Sequence, residues 1–169
     1  MTPIADPLAA AADRWRLPVR AVRGATTVAA DEPALVRAAT AELLEAMLRA
    51  NALPASRVIS AIFTVTPDLC SEFPARAARL LGWTDVPLLC AQEIAVPGAL
   101  PRCIRVLLHA SSARPRGRVR HVYLRDAVAL RPDLAAADAE RPAVAVRASG
   151  VRSAARPARP VAARREARR

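Results

Sequence analysis

Apolar and polar positions along the chain switch between a strand-like and a helix-like period. Val19 to Val28 opens as a β-prone run punctuated by Gly24. Asp31 then stands at a helix N-cap position, and Pro33 falls in the first turn, where a missing N–H is harmless. Val36, Leu43, Leu44, Met47 and Leu48 recur at helical spacing as far as Asn51, which predicts an amphipathic helix. Val58 to Thr66, reading VISAIFTVT, is rich in β-branched residues, too short for a typical helix and stopped by Pro67, so it predicts a largely buried strand. Pro74 opens and Gly82 closes a second, shorter helix through Arg79 and Leu80. Pro87 to Ile94, Cys103 to Ala110 and Val119 to Leu124 read as three further strands. The order β-α-β-α-β-β-β predicts an α+β domain, a mixed sheet with helices on one face. No internal repeat interrupts it.

Charge divides the 169 residues into a body and two appendages. Residues 1–18 balance Arg14 and Arg16 against Asp6 and Asp13 and read as a flexible extension. Residues 135–169 hold nine Arg against three acids, have no Leu, Ile, Phe or other aromatic, and are broken by Pro142, Pro157 and Pro160. Such a tail has little with which to bury surface, and disorder is expected. The domain proper is 19–134, long enough to bury roughly two thirds of its unfolded surface. The overall charge of +11 comes entirely from Arg, with no Lys; beside abundant Ala and Pro this reads first as coding bias.

No apolar run approaches the roughly 18 residues of a membrane span, and Asp6 and Asp13 interrupt any signal-peptide core, so a cytoplasmic protein is expected. Cys70, Cys90 and Cys103 are odd in number and widely spaced, and His109 and His121 form no ligand cluster; disulfides and metal are not expected. Neither a GxGxxG nor a GxxxxGK[ST] string is present, which leaves no nucleotide cofactor to propose. There is no GxSxG string and no local nucleophile-and-base signature. What stands out is charge inside segments otherwise fit for burial: Arg23 at the end of the first strand, Glu93 at the end of LLCAQE, and Arg105 in the middle of CIRVLLHA. A charge buried alone costs several kcal/mol, so such positions hold an ion pair or a charged ligand. One reading makes Arg105 and Glu93 a salt bridge across neighbouring strands.

Seven strings occur in order over the body: RGATTV (Arg23 to Val28), TPDL (Thr66 to Leu69), FPARAARLLGW (Phe73 to Trp83), VPLLCAQE (Val86 to Glu93), CIRV (Cys103 to Val106), RHVYL (Arg120 to Leu124) and LRPDL (Leu130 to Leu134). Together they resemble the monofunctional chorismate mutases of the Bacillus type, the small non-helical class. The resemblance implies a homotrimer built around a pseudo-α/β-barrel, with active sites in clefts between subunits. It also implies conversion of chorismate to prephenate by a Claisen rearrangement, in phenylalanine and tyrosine synthesis. A unimolecular pericyclic reaction needs no nucleophile, metal, cofactor or obligatory proton transfer.

By the same resemblance, Arg23 matches an arginine that grips a substrate carboxylate, and Arg105 the guanidinium beside the breaking ether bond. Glu93 matches the carboxylate facing the ring, Cys90 the thiol next to the ring hydroxyl, and Tyr123 a phenol on a carboxylate. Phe73, Ala75, Arg76, Arg79, Leu130 and Arg131 match the segments that close over the site. Arg76 stands where the family carries Lys, and Leu89 where a hydroxylated residue is common.

Each position also has a plainer reading. Cys90 in an apolar strand is a small core residue, Arg76 and Arg79 form a solvated helix face, Tyr123 plugs a core edge, and His121 is structural. Cys90 and Glu93, three apart, can face one cleft only if the strand bends, bulges or ends there. A rival class is a nucleic-acid or acidic-partner binding module, suggested by the Arg-rich tail. Aromatics are 3% of the chain and absent from the tail, so stacking platforms are missing and only weak polyanion attraction is expected.

Overall fold

The computed structural model describes residues 17–134. Of the flexible leader expected for 1–18, residues 1–16 lie outside the described residues, as does the disordered tail expected for 135–169. Pairing begins just ahead of the first strand, where the Pro18 carbonyl accepts the Ser112 N–H at 3.0 Å. The elements are β1 (Val19–Thr27), α1 (Pro33–Asn51), β2 (Val58–Val65), α2 (Ala75–Leu80), β3 (Leu88–Gln92), β4 (Cys103–Ser111) and β5 (Val122–Tyr123), with 3-10 turns at Ala55–Arg57, Arg116–Arg118 and Arg125–Leu130. They form one mixed sheet in the order β3-β2-β4-β1-β5. β4 runs antiparallel to β1 and β2; β3 is parallel to β2, and β5 to β1.

Alternation assigns the strands' side chains to two faces. Register sets Val22 and Ala61 opposite Leu108 and Phe63 opposite Val106. All are buried and pack with Leu43, Leu44 and Met47 of α1, Ala78 of α2, and Trp83. Gly24 lies on this face too, where a Cβ would stand 2.4 Å from Met47 Sδ. Only a glycine lets α1 approach β1 so closely. The intervening positions, Arg23 and Ala25 of β1, Ser60, Ile62 and Thr64 of β2, and Arg105, Leu107 and His109 of β4, pair with one another on the second face. The turn Arg125–Leu130 covers one end of it, burying Ala127 with Ala25 and Cys103. Apart from the exposed Arg23, the remainder is half-buried, so β2 is not the largely buried strand its composition suggested.

Two local expectations need correction. Glu32, not Asp31, occupies the N-cap of α1, and its side chain makes no cap bond. The Asp31 carboxylate instead accepts the N–H groups of Cys70 and Ser71 at 3.1–3.2 Å, tying the loop ahead of α2 to the start of α1. The last strand is two residues rather than Val119 to Leu124. Its approach is claimed by α1: the buried Asn51 side chain accepts the Arg120 N–H at 2.9 Å and donates to the Arg120 carbonyl at 2.8 Å.

Candidate active site

Arg105 projects from the middle of β4 onto the half-open second face, and Arg23 from the adjacent β1. Together with Tyr123 of β5, Ile62 and Thr64 of β2, and Leu130 and Arg131 at the end of the last 3-10 turn, they line an open cleft of about 630 Å³. Strand pairing gathers Arg23, Arg105 and Tyr123, and the last 3-10 turn brings Leu130 and Arg131 to them.

Glu93 joins them from the far side of β2. Its N–H continues the β3 ladder to the Val65 carbonyl at 2.9 Å. Its carboxylate pairs with the Arg105 guanidinium and accepts the Thr64 hydroxyl at 2.5 Å. The salt bridge exists, but not between neighbouring strands, because β2 lies between β3 and β4. It can span that strand because Thr64, directly opposite Arg105, is small enough for both long side chains to meet above it. The pair is not sealed: the Arg105 side chain keeps 31% of its exposure and the cleft opens beside it.

Burial, and then the Arg23 guanidinium, push the Arg105 pKa below its ordinary value. Two like charges on neighbouring strands, with one carboxylate paired to Arg105 alone, leave a surplus of positive potential for an anion. The Arg23 side chain has no ion-pair partner among the described residues. The Tyr123 hydroxyl is buried beside the Arg131 guanidinium. Arg131 itself is held by Asp133 through contacts of 2.9 and 2.8 Å.

The other predicted residues lie elsewhere. Phe73, 71% exposed, and Cys90 line a separate pocket of about 330 Å³ with Glu72, Pro74 and Gln92. Cys90 is registered opposite Phe63, so it faces the helices, and burial raises its thiol pKa. The strand does end between them, at Gln92, yet a single chain holds the two on opposite faces: Cys90 packs against the core and Glu93 meets Arg105. Ala75 packs against the core beside Cys90. Arg76 pairs with Glu72 at 3.4 Å. Glu72 is also held by Arg37 of α1 at 2.6 Å, which with burial opposing keeps its carboxyl below the usual range. Arg79 donates to the carbonyls of Trp83 and Val86, fixing the turn after α2.

Thr64 escaped sequence reasoning, being one of three hydroxyl residues in VISAIFTVT with Ser60 and Thr66. Of the two residues that secure β5, His121 carried a structural reading through RHVYL and Asn51 gave no signal. Among the described residues no group of three or more His, Cys, Asp or Glu side chains is arranged to hold a metal.

The class these observations define is an α+β domain whose mixed sheet presents two arginines, a carboxylate and a phenol to an open cleft, an arrangement suited to an anion. Residues 19–134 match the family model described as chorismate mutase type I. The chain is 56% identical to chorismate mutase AroH of Thermus thermophilus over 120 residues, covering 70% of this chain and 98% of that protein. It is 43% identical to chorismate mutase AroH of Bacillus subtilis (strain 168) over 117 residues, covering 69% and 92%. Among solved structures, a chorismate mutase from Clostridium thermocellum superposes with a TM-score of 0.64 at 46% identity, covering 64% of this chain and 97% of that one. The chain belongs to the chorismate mutase type I family.

Proposed function

We propose that this chain isomerises chorismate to prephenate in a cleft completed by a second copy of itself. Family membership supports the activity. The observation that carries the chemistry is the convergence of the Arg105 and Arg23 guanidiniums on one open cleft, with Glu93 beside Arg105. Chorismate bears two carboxylates and an enolpyruvyl ether. Arg23 grips one carboxylate through the paired N–H donors of its planar fork. Arg105 faces the ether oxygen, which gains negative charge as its C–O bond stretches, so its stabilisation is greater in the transition state than in the ground state. Glu93 faces the ring fragment as that becomes electron-poor, Cys90 stands by the ring hydroxyl, and Tyr123 donates to a carboxylate. Holding the two ends of the substrate against each other supplies the rest. A rate gain of about a million-fold asks for only about 8 kcal/mol.

The shared site accounts for the separation within one chain. Arg23, Arg105, Glu93 and Tyr123 belong to the second sheet face, while Phe73, Ala75, Arg76, Arg79 and Cys90 belong to α2 and its surroundings. Two half-sites on different sides of a domain meet when copies pack around the uncovered sheet face, as in a homotrimer. Apolar side chains left exposed, Phe73 at 71% beside α2 and Leu89 at 59%, Ile94 at 86% and Val96 at 56% on and after β3, fit such packing. No helix among the described residues is long and apolar enough to cross a membrane. The cytoplasm is the proposed location.

The test is the absorbance of chorismate on mixing with purified full-length protein, read beside the sedimentation mass. Loss of the chorismate signal with formation of prephenate, by a species of three chains, is expected. An unchanged absorbance overturns the activity, and an active single-chain species overturns the shared site.

A further inference from the structure

β5 delivers Tyr123 to the cleft, yet it pairs with β1 only at Gly24–Val122 and Ala25–Tyr123. So short a ladder fixes little by itself. Its far end is closed by the Leu124 N–H on the Ala25 carbonyl at 2.9 Å. Its near end is closed by a side chain: the Arg23 N–H donates to His121 Nδ1 at 3.0 Å. Arg23 stands one residue before the ladder begins, so its N–H is an edge donor that a two-residue strand leaves without a carbonyl. The imidazole supplies that acceptor. An accepting Nδ1 carries no proton, which places the ring proton on Nε2. The residue before His121 is fixed in turn by Asn51, 4% exposed, through both backbone groups of Arg120. His121 does not line the cleft; it lines a groove behind it with Ala46, Arg49 and Ala50 of α1.

We propose that His121 is a positioning residue for substrate binding. By holding the main chain of Arg23 against β5, it sets the Arg23 guanidinium at a fixed separation from Tyr123 across the cleft. This rests on the reading of Arg23 as the group that grips a substrate carboxylate. The bond fixes a binding group and not the group beside the ether oxygen, so its loss falls on KM and leaves kcat nearly intact.

Steady-state kinetics on full-length His121→Asn, His121→Gln and Arg23→Ala test it. The amide oxygen of Asn reaches the place of Nδ1, whereas that of Gln reaches the place of Nε2. His121→Gln is expected to raise KM for chorismate about five- to tenfold, the size of one lost hydrogen bond, with kcat changed less than about twofold. His121→Asn should keep KM within about twofold of the parent. A merely structural role lowers the amount of folded enzyme, and so the apparent kcat of both variants, without moving KM; that result overturns the inference. An Asn variant whose KM rises as far as tenfold also overturns it, and this arm stands alone if His121→Gln does not fold. Arg23→Ala separates the two levels: an unchanged KM there removes the reading of Arg23 itself, whereas a raised KM there beside an unmoved His121→Gln removes only the role of His121.

Discussion

The two faces of the sheet are built from the same strands, one residue out of step, and have little else in common. On one, Val22, Phe63, Val106 and Leu108 are closed over by Leu43, Leu44 and Met47. On the other, Thr64 and Arg105 stand half-buried and Arg23 exposed at an open cleft. β1 and β4 supply both at once: Val22 and Gly24 face α1 while Arg23 between them faces the cleft. The period of two thus separates the residues that hold the fold from those that hold charge. A charged residue in a central strand is placed by every hydrogen bond of the ladder around it, which is the rigidity that electrostatic catalysis requires. The α2 side lacks this support. There Arg76 and Arg79 sit on a six-residue helix and are already engaged, by Glu72 and by main-chain carbonyls.

If the faces divide the work in this way, substitutions on each should fail differently. The largest effect is expected from Arg105→Ala: turnover of chorismate falls by at least about 10²–10³-fold, the cost of one preorganised donor to a developing oxyanion, while circular dichroism and the unfolding midpoint change little. Arg105→Lys loses most of the activity too, since an ammonium cannot reproduce the planar fork. Near-normal turnover in Arg105→Ala removes Arg105 from the chemistry. Leu43→Ala, on the other face, is expected to cost about 2–5 kcal/mol in denaturant unfolding, with turnover per folded molecule preserved. A loss of turnover in the folded fraction means that the faces are coupled. Gly24→Ala tests the seam. Its Cβ meets Met47 Sδ, so a loss of about 1–3 kcal/mol is expected, together with lower activity because β1 carries Arg23 next door. Adding Met47→Ala makes room, and the double variant should be less destabilised than the two single changes added together.

How far this division could be read beforehand follows the same line. The strands and α1 were legible because their apolar positions repeat at the right period, and Arg105 was conspicuous because CIRVLLHA has no other reason to carry a charge. The partnership with Glu93 was legible as chemistry but not as geometry. Periodicity carries no strand order, and it is the insertion of β2 between β3 and β4, with a small Thr64 opposite Arg105, that makes the bridge possible. The extent of β5 was overread for a related reason. Val119 to Leu124 has a strand's composition, but the backbone of Arg120 is taken by Asn51, 69 residues away, and a local pattern cannot register a competitor so distant.

Asp31 shows the same competition and yields the smallest predicted effect. Its position before Pro33 suits an N-cap, yet the loop ahead of α2 outbids the helix for its carboxylate. The Ser71 hydroxyl beside it, then the Cys70 thiol and the N–H groups of both residues, outweigh desolvation and hold its pKa at about 2, against the usual 3.8. A carboxyl whose pKa is lower in the folded chain than in the unfolded one favours folding when ionised. That contribution is complete above about pH 4, shrinks as the unfolded chain takes up its proton, and is gone once pH falls through about 2. Asp31→Asn keeps the shape but loses the charge, so it should be less stable than the parent at pH 6, measured by urea midpoints, with the gap closing toward pH 2. A gap independent of pH would assign the tie to shape alone, and the loop that carries Phe73 would then be held to α1 by the Arg37–Glu72 pair rather than by Asp31.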